Sequence, residues 1–252
     1  MMETDKEDIL IHPGRGRNEK LLPGTAIIVA NPAEAGIGLD AMRSHGAESR
    51  SLYNSNLLVD KRSSFCLAGP CLGAPAAGLV LEKLIALGVR RICLFSCCGA
   101  VNRQRTVGDV ILAVSGVCGE GVSRYYGGGK RVEVCQEETG KLRVFLKDHQ
   151  VIWHEGGIWS TDAPYRESRA RLSRLHQHFG VDGVDMEFTA LCSIAAFRKV
   201  HLSALFVVSD ELWGPKWKPG FTGARYRERC RSLIANLILH KMKEGENNDQ
   251  DL

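Results

Sequence analysis

The chain has 252 residues, 44% hydrophobic and 25% charged, with a formal net charge of +4. This is ordinary globular composition, and the length suits one large domain or two small ones. No lysine and arginine stripe with interleaved aromatics points to nucleic acid, and no apolar stretch nears the roughly 20 residues of a membrane span.

The opening "MMETDKEDIL" is acidic and polar, unlike a secretion signal. Nine cysteines without such a signal fit free thiols in a reducing compartment, so a cytoplasmic protein is expected. No cysteine and histidine cluster has ligand spacing, so no metal is expected.

Residues 1–8 and 243–252 have little to bury and read as loose tails around one domain, 9–242. "TAIIVANP" (25–32) reads as a strand ending in Asn-Pro. Residues 74–91 place Ala77, Leu81, Leu84 and Ile85 at helical spacing before Gly88 stops them. "ICLFSCCGA" (92–100) is an apolar strand that breaks into small residues, and "VGDVILAVSGV" (107–117) is another strand. Residues 101–160 hold several strand-like runs with little helix between them. "RESRARLSR" (166–174) reads as a solvated helix face. A buried helix over 186–199, a strand over 202–212 and an amphipathic helix over 223–243 complete the chain. Apolar strands separated by helices argue an α/β fold with a mixed sheet.

In such sheets ligands bind at the carboxyl ends of strands. Three strand ends carry polar or small residues: Asn31 to Glu34, Ser96 to Ala100, and Ser209 to Glu211. The small residues Ser96, Cys97, Cys98 and Gly99 let backbone N–H groups approach an anion or sugar; the plainer reading is tight packing. Asp210 follows the apolar run Ala204 to Val208 and reaches the core's rim, which suits a general acid. Its alternative is a local cap. Glu187 stands at the head of an oily helix, where adjacent sugar hydroxyls would compensate its burial and Met186 would back the ring. Its alternative is a first-turn Glu favoured by the helix dipole.

Together "GPCLGAPAAGLVLEKLIALGVRRI", "SCCGAVNRQRTVGDVILA", "EGVSRYY", "STDAPYRE", "GVDMEFTAL" and "VVSDEL" resemble the nucleoside phosphorylase and nucleosidase superfamily. The branch is that of trimeric and hexameric purine nucleoside and uridine phosphorylases. The resemblance runs from about residue 25 to 240. It implies a three-layer α/β/α sandwich around a mixed, barrel-like sheet, and an enzyme that breaks the N-glycosidic bond of a nucleoside. No cofactor is implied beyond inorganic phosphate as co-substrate. Met186 and Glu187 would hold the ribose. Asp210 would protonate a purine, supported by Arg225 or Arg227. Cys98, Gly99, Tyr165, Val184 and Ser209 would form the base site. Ser96, Cys97 and Arg50 would form the phosphate site, Arg50 reaching in from a neighbouring subunit and His12 conceivably with it. A homo-oligomer of dimers, built into a trimer of dimers, is implied.

The chain also departs from the family pattern. Where phosphorylases carry an arginine after the first strand, this chain has "ANPAE", with Glu34 at that place. A second arginine is replaced by Leu94, and a phosphate-binding hydroxyl by Cys97. Each charged hydrogen bond is worth about 1.5–3 kcal/mol, so phosphate affinity should fall steeply. Phosphorolysis remains the first expectation. Hydrolysis with Glu34 as general base is its alternative, and a non-catalytic nucleoside-binding protein is a third. The segment 211–221, with Trp213, Trp217 and Phe221, reads either as a lid or as a packed surface loop.

Overall fold

Strand β5 (Arg91–Ala100) is the hub of the sheet. One edge runs parallel to β10 (His201–Glu211) along its whole length. The other edge serves β1 (Thr25–Val29) first, in parallel, and then β9 (Val181–Asp185), antiparallel. Strand β10 pairs antiparallel with β6 (Val110–Gly119), β6 parallel with β8 (Trp153–Thr161), and β8 parallel with β9. Five strands thus close on themselves, in the order β5, β10, β6, β8, β9. Beyond β1 the sheet opens through β4 (Cys66–Gly69), β3 (Ser55–Val59) and β2 (Glu48–Leu52). Short β7 (Arg131–Glu133) lies on β6, and β11 (Lys218–Pro219) on β10. This computed structural model describes residues 9–62 and 64–250, with side chains through residue 245.

The central barrel strands β5 and β10 are largely apolar because helices cover both faces. Along β5, Ile92, Leu94 and Cys98 point to one cluster and Cys93 and Phe95 to the other. The first cluster is closed by α2 (Ala74–Ala86) and α5 (Phe188–Arg198). These two helices pack closely: a β-carbon on Gly78 would lie 3.1 Å from Ile194 Cδ1. The second cluster is closed by α1 (Pro32–Ser44), α3 (Gln136–Asp148) and α6 (Ala224–Gln250). A shorter helix, α4 (Arg169–Phe179), buries Leu172 against Val181 and Val184 of β9. The result is the three-layer sandwich around a mixed, barrel-like sheet.

Two expectations differ from the structure. The stretch 101–160 is not helix-poor, since α3 occupies 13 residues of it. Leu142, Phe145 and Leu146 give α3 its apolar stripe, and Lys141 pairs with Glu137 and Glu138 on its outer side. The stretch from 243 is helical to Gln250, not loose. Extending a nucleated helix costs little, and Glu244 pairs there with His240 and Lys241. The expected tail 1–8 and residues 251–252 lie outside the described residues. All nine cysteines are free thiols. No helix among the described residues is long and apolar enough to cross a membrane.

Candidate active site

The ends of β5, β9 and β10 converge on a cleft of about 540 Å³. Strand β5 brings them together, pairing with β10 through Ala100 on one edge and with Val184 of β9 through Gly99 on the other. The loop after β1 and the segments 164–167 and 212–221 complete the walls.

Two consecutive elements build the first end of the cleft. Strand β9 runs out at Asp185 and α5 begins at Phe188. Asp185 satisfies the orphan amides of the new helix. Its Oδ2 accepts from the backbone N–H of Glu187 at 3.1 Å and of Phe188 at 2.8 Å. Ser160 donates its hydroxyl to Asp185 Oδ1 at 2.5 Å and accepts the N–H of Thr189 at 2.9 Å. This turn presents Met186 and Glu187 to the cleft.

Glu187 is 2% exposed. Its Oε1 accepts the N–H of Gly73 at 2.5 Å, and its Oε2 accepts the N–H of Met186 at 3.3 Å. No cation pairs with it among the described residues. Gly73 has φ +89°, a backbone region that glycine enters freely, and it stands at the head of α2, so the dipole of that helix also faces the carboxyl. Burial, then repulsion from Asp185, push the Glu187 carboxyl up to about 8. Burial likewise pushes Asp185 up. A carboxyl this deep with two backbone donors still has lone pairs to fill, and the cleft is where they open.

Asp210 anchors the opposite end. It is 7% exposed. Its Oδ1 accepts the Ser209 hydroxyl at 2.7 Å, and its Oδ2 accepts the indole N–H of Trp217 at 2.7 Å. Gly99 lies directly against it: an added β-carbon would stand 3.1 Å from Asp210 Oδ2 and 2.7 Å from Leu212 Cδ1. Cys98, Gly99, Val184, Ser209 and Tyr165 all line the cleft, Tyr165 fully exposed at its rim. Trp217 and Phe221 fold over the opening with ring centroids 6.4 Å apart, so the segment 211–221 walls the cleft.

The expected support of Asp210 by a downstream arginine is corrected. Arg225 donates to Asp109 at 2.8 Å and packs on Gly108, while Arg227 is exposed. The donors on Asp210 are its neighbour Ser209 and Trp217, seven residues along the loop.

The third wall is closed upon itself. Asn31 Oδ1 accepts the Ser96 hydroxyl at 3.0 Å and the Cys97 N–H at 3.1 Å. Asn31 and Cys97 line the cleft; Ser96 and Glu34 stand behind them. Glu34 is 5% exposed, and its Oε1 accepts the Tyr226 hydroxyl at 2.9 Å. Burial pushes the Cys97 thiol up to about 12, so it is a neutral wall. Ser96 and Cys97 therefore spend their donors on Asn31, not on an anion, and Glu34 does not reach the cleft surface. Arg50 lies on β2 at the far edge of the sheet, donating to the Leu21 carbonyl at 3.2 Å and to Glu48. Within one chain it is remote from the cleft. His12 is also absent from the walls.

Sequence reasoning named Asn31 only within a candidate strand end and Trp217 only within a lid or surface loop, giving neither a role, and did not single out Glu167. Glu167 lines the cleft, and burial, then repulsion from Asp210, push its carboxyl up to about 7. Its only signal was its place in "STDAPYRE". The wall thus carries four carboxyl groups, from Glu167, Asp185, Glu187 and Asp210, and among the described residues no lysine, arginine or histidine.

Comparison with known proteins shows the family and the fold. The sequence matches the phosphorylase superfamily over residues 25–239, and the chain belongs to that family. A purine nucleoside phosphorylase DeoD-type of Clostridium novyi (strain NT) is 26% identical over 147 residues, covering 57% of this chain and 63% of that protein. The match therefore spans less than two thirds of that relative. The fold is similar to that of the purine nucleoside phosphorylase from Toxoplasma gondii in complex with immucillin-H. There the TM-score is 0.76 and the identity 17%, over 90% of this chain and 93% of that one. It is similar too to the 5′-methylthioadenosine/S-adenosyl homocysteine nucleosidase of Campylobacter jejuni. That comparison gives a TM-score of 0.74 and 16% identity, over 88% of this chain and 99% of that one.

Proposed function

We propose that this protein is an enzyme that cleaves the N-glycosidic bond of a purine-type nucleoside and passes the ribosyl group to water. The observation that carries the reading is the charge of the cleft: four carboxyl groups and no cation on its wall among the described residues. An oxocarbenium-like sugar is positive, so carboxylates facing it stabilise the transition state more than the neutral ground state. No cation on the wall among the described residues would hold a phosphate dianion, and the backbone and hydroxyl donors that could have bound it are held by Asn31.

Each wall then has a task. Glu187 accepts the ribose hydroxyls, with Met186 against the ring. Asp210 gives a proton to the leaving base, which departs neutral. Gly99 and Val184, paired neighbours on β5 and β9, form a flat wall for that base. Bond breaking runs ahead of attack, so water needs little activation, in keeping with a Glu34 held behind the wall. The reaction needs no cofactor. In this reading the protein works in the cytoplasm, in purine salvage, as a homo-oligomer of dimers up to a hexamer.

Phosphorolysis is the second reading. It is favoured by the relatives named as phosphorylases and by Arg50, which a neighbouring copy would have to supply. One assay separates the readings. Inosine, adenosine and methylthioadenosine are incubated with the protein, with and without phosphate. Base release independent of phosphate is expected. Release only with phosphate would establish phosphorolysis, and tight binding with no release would leave a binding protein.

A further inference from the structure

We propose that Glu167 selects the base, favouring one whose edge offers two adjacent N–H donors, as guanine does with its ring N1–H and its 2-amino group. The inference rests on the reading above, which puts the base at the Asp210 end. Glu167 belongs to that end because Asp210 is the charge that acts on it, whereas Glu187 feels Asp185. Glu167 follows β8 at the end of the short turn Pro164–Arg166, and it lines the same cleft as Pro164, Tyr165, Asp210 and Trp217.

Its situation differs from that of every other carboxyl on the wall. Asp185 is filled by Ser160 and two amides, Asp210 by Ser209 and Trp217, and Glu187 by Gly73 and Met186. The Glu167 carboxyl has no hydrogen-bond or ion-pair partner among the described residues. Only its backbone N–H is engaged, donating to the Pro164 carbonyl at 3.3 Å. A half-buried carboxylate without a partner, facing a second carboxyl, is costly until a ligand supplies donors. Two parallel N–H groups at the spacing of a carboxylate's oxygens supply them best. Guanine presents such a pair. Hypoxanthine presents its N1–H alone. Adenine sets an acceptor, N1, against the carboxylate.

The test compares guanosine, inosine and adenosine at pH 8, where a carboxyl held up to about 7 is ionised. Turnover is measured as kcat/KM, and binding by calorimetry on the same samples. The wild type, Glu167→Ala and Glu167→Gln are used, with circular dichroism to confirm folding. The wild type should prefer guanosine over inosine and inosine over adenosine. Glu167→Ala should lose at least roughly 10- to 100-fold on guanosine, the worth of one charged hydrogen bond, and about twofold or less on adenosine. Glu167→Gln should move preference toward adenosine, since an amide offers adenine one donor and one acceptor. An equal fall on all three substrates, or a wild type that prefers adenosine, would overturn the proposal while leaving nucleoside cleavage intact. A wild type that neither cleaves nor binds any of the three would overturn the reading of the whole cleft.

Discussion

The two ends of the cleft hold their acids in opposite ways. At the sugar end, Asp185, Met186 and Glu187 are consecutive, and the turn from β9 into α5 fixes them with backbone amides. At the base end, Asp210 is held by side chains, one from its neighbour Ser209 and one from Trp217 across a loop. The first arrangement is stiff because moving it would unwind a buried helix. The second depends on a loop whose tryptophan is 59% exposed. On the proposed reading, the constant sugar would meet the stiff end and the variable base the end held by the loop.

Breaking the base end at its acid should have the largest effect. Asp210→Asn removes the proton donor and should lower kcat on natural nucleosides by roughly 10²- to 10⁴-fold, the usual worth of general acid catalysis. The same variant should cleave p-nitrophenyl riboside nearly as well as the wild type, because that leaving group needs no proton. An equal loss on both substrates would assign Asp210 to binding instead.

The loop contact comes next. Trp217→Phe keeps the aromatic wall and deletes one hydrogen bond, worth about 0.5–1.5 kcal/mol, so kcat/KM should fall roughly 2- to 12-fold. Arg225→Ala should have the smallest effect. It breaks an exposed pair with Asp109, worth about 0.2–1 kcal/mol of stability, and kcat/KM should change less than about twofold. A larger loss in Arg225→Ala than in Trp217→Phe would restore the arginine as the support of Asp210. Both are read from steady-state kinetics, with thermal melts for stability.

The barrel and α5 are legible in the sequence because their signals are local. Continuous apolar runs such as Ala204 to Val208 admit one environment, buried on both faces. Glu187 is legible for the same reason, as a lone acid at the head of an oily helix. Strand β2 carries the sequence ESRSL, mostly exposed at a sheet edge, and gives no such pattern. Helix α3 hides among strand-like runs because its stripe is three residues wide. The base end is the least legible part. Trp217 reaches Asp210 only through the path of a loop that turns at Gly214 and Pro215, and spacing could not choose between Arg225 and Arg227. The closed acceptor wall could not be read either, since Asn31 and Ser96 are 65 positions apart.

The stiff end offers the most direct test of the central claim, that Glu187 grips the sugar. Its carboxyl is raised from an ordinary 4.5 to about 8, so the proton favours the folded, empty protein. Stability from this group is complete below pH 4.5 and is lost as pH climbs to about 8. Ribose hydroxyls donate to the ionised form, so nucleoside binding at pH 7 should expel the proton. Calorimetric titration with a carbon-linked inosine analogue, whose glycosidic bond cannot be cleaved, in two buffers of different ionisation enthalpy counts it. The wild type should release up to one proton, and Glu187→Gln none, with weaker binding. Equal proton counts in the two proteins, or uptake in the wild type, would contradict the account.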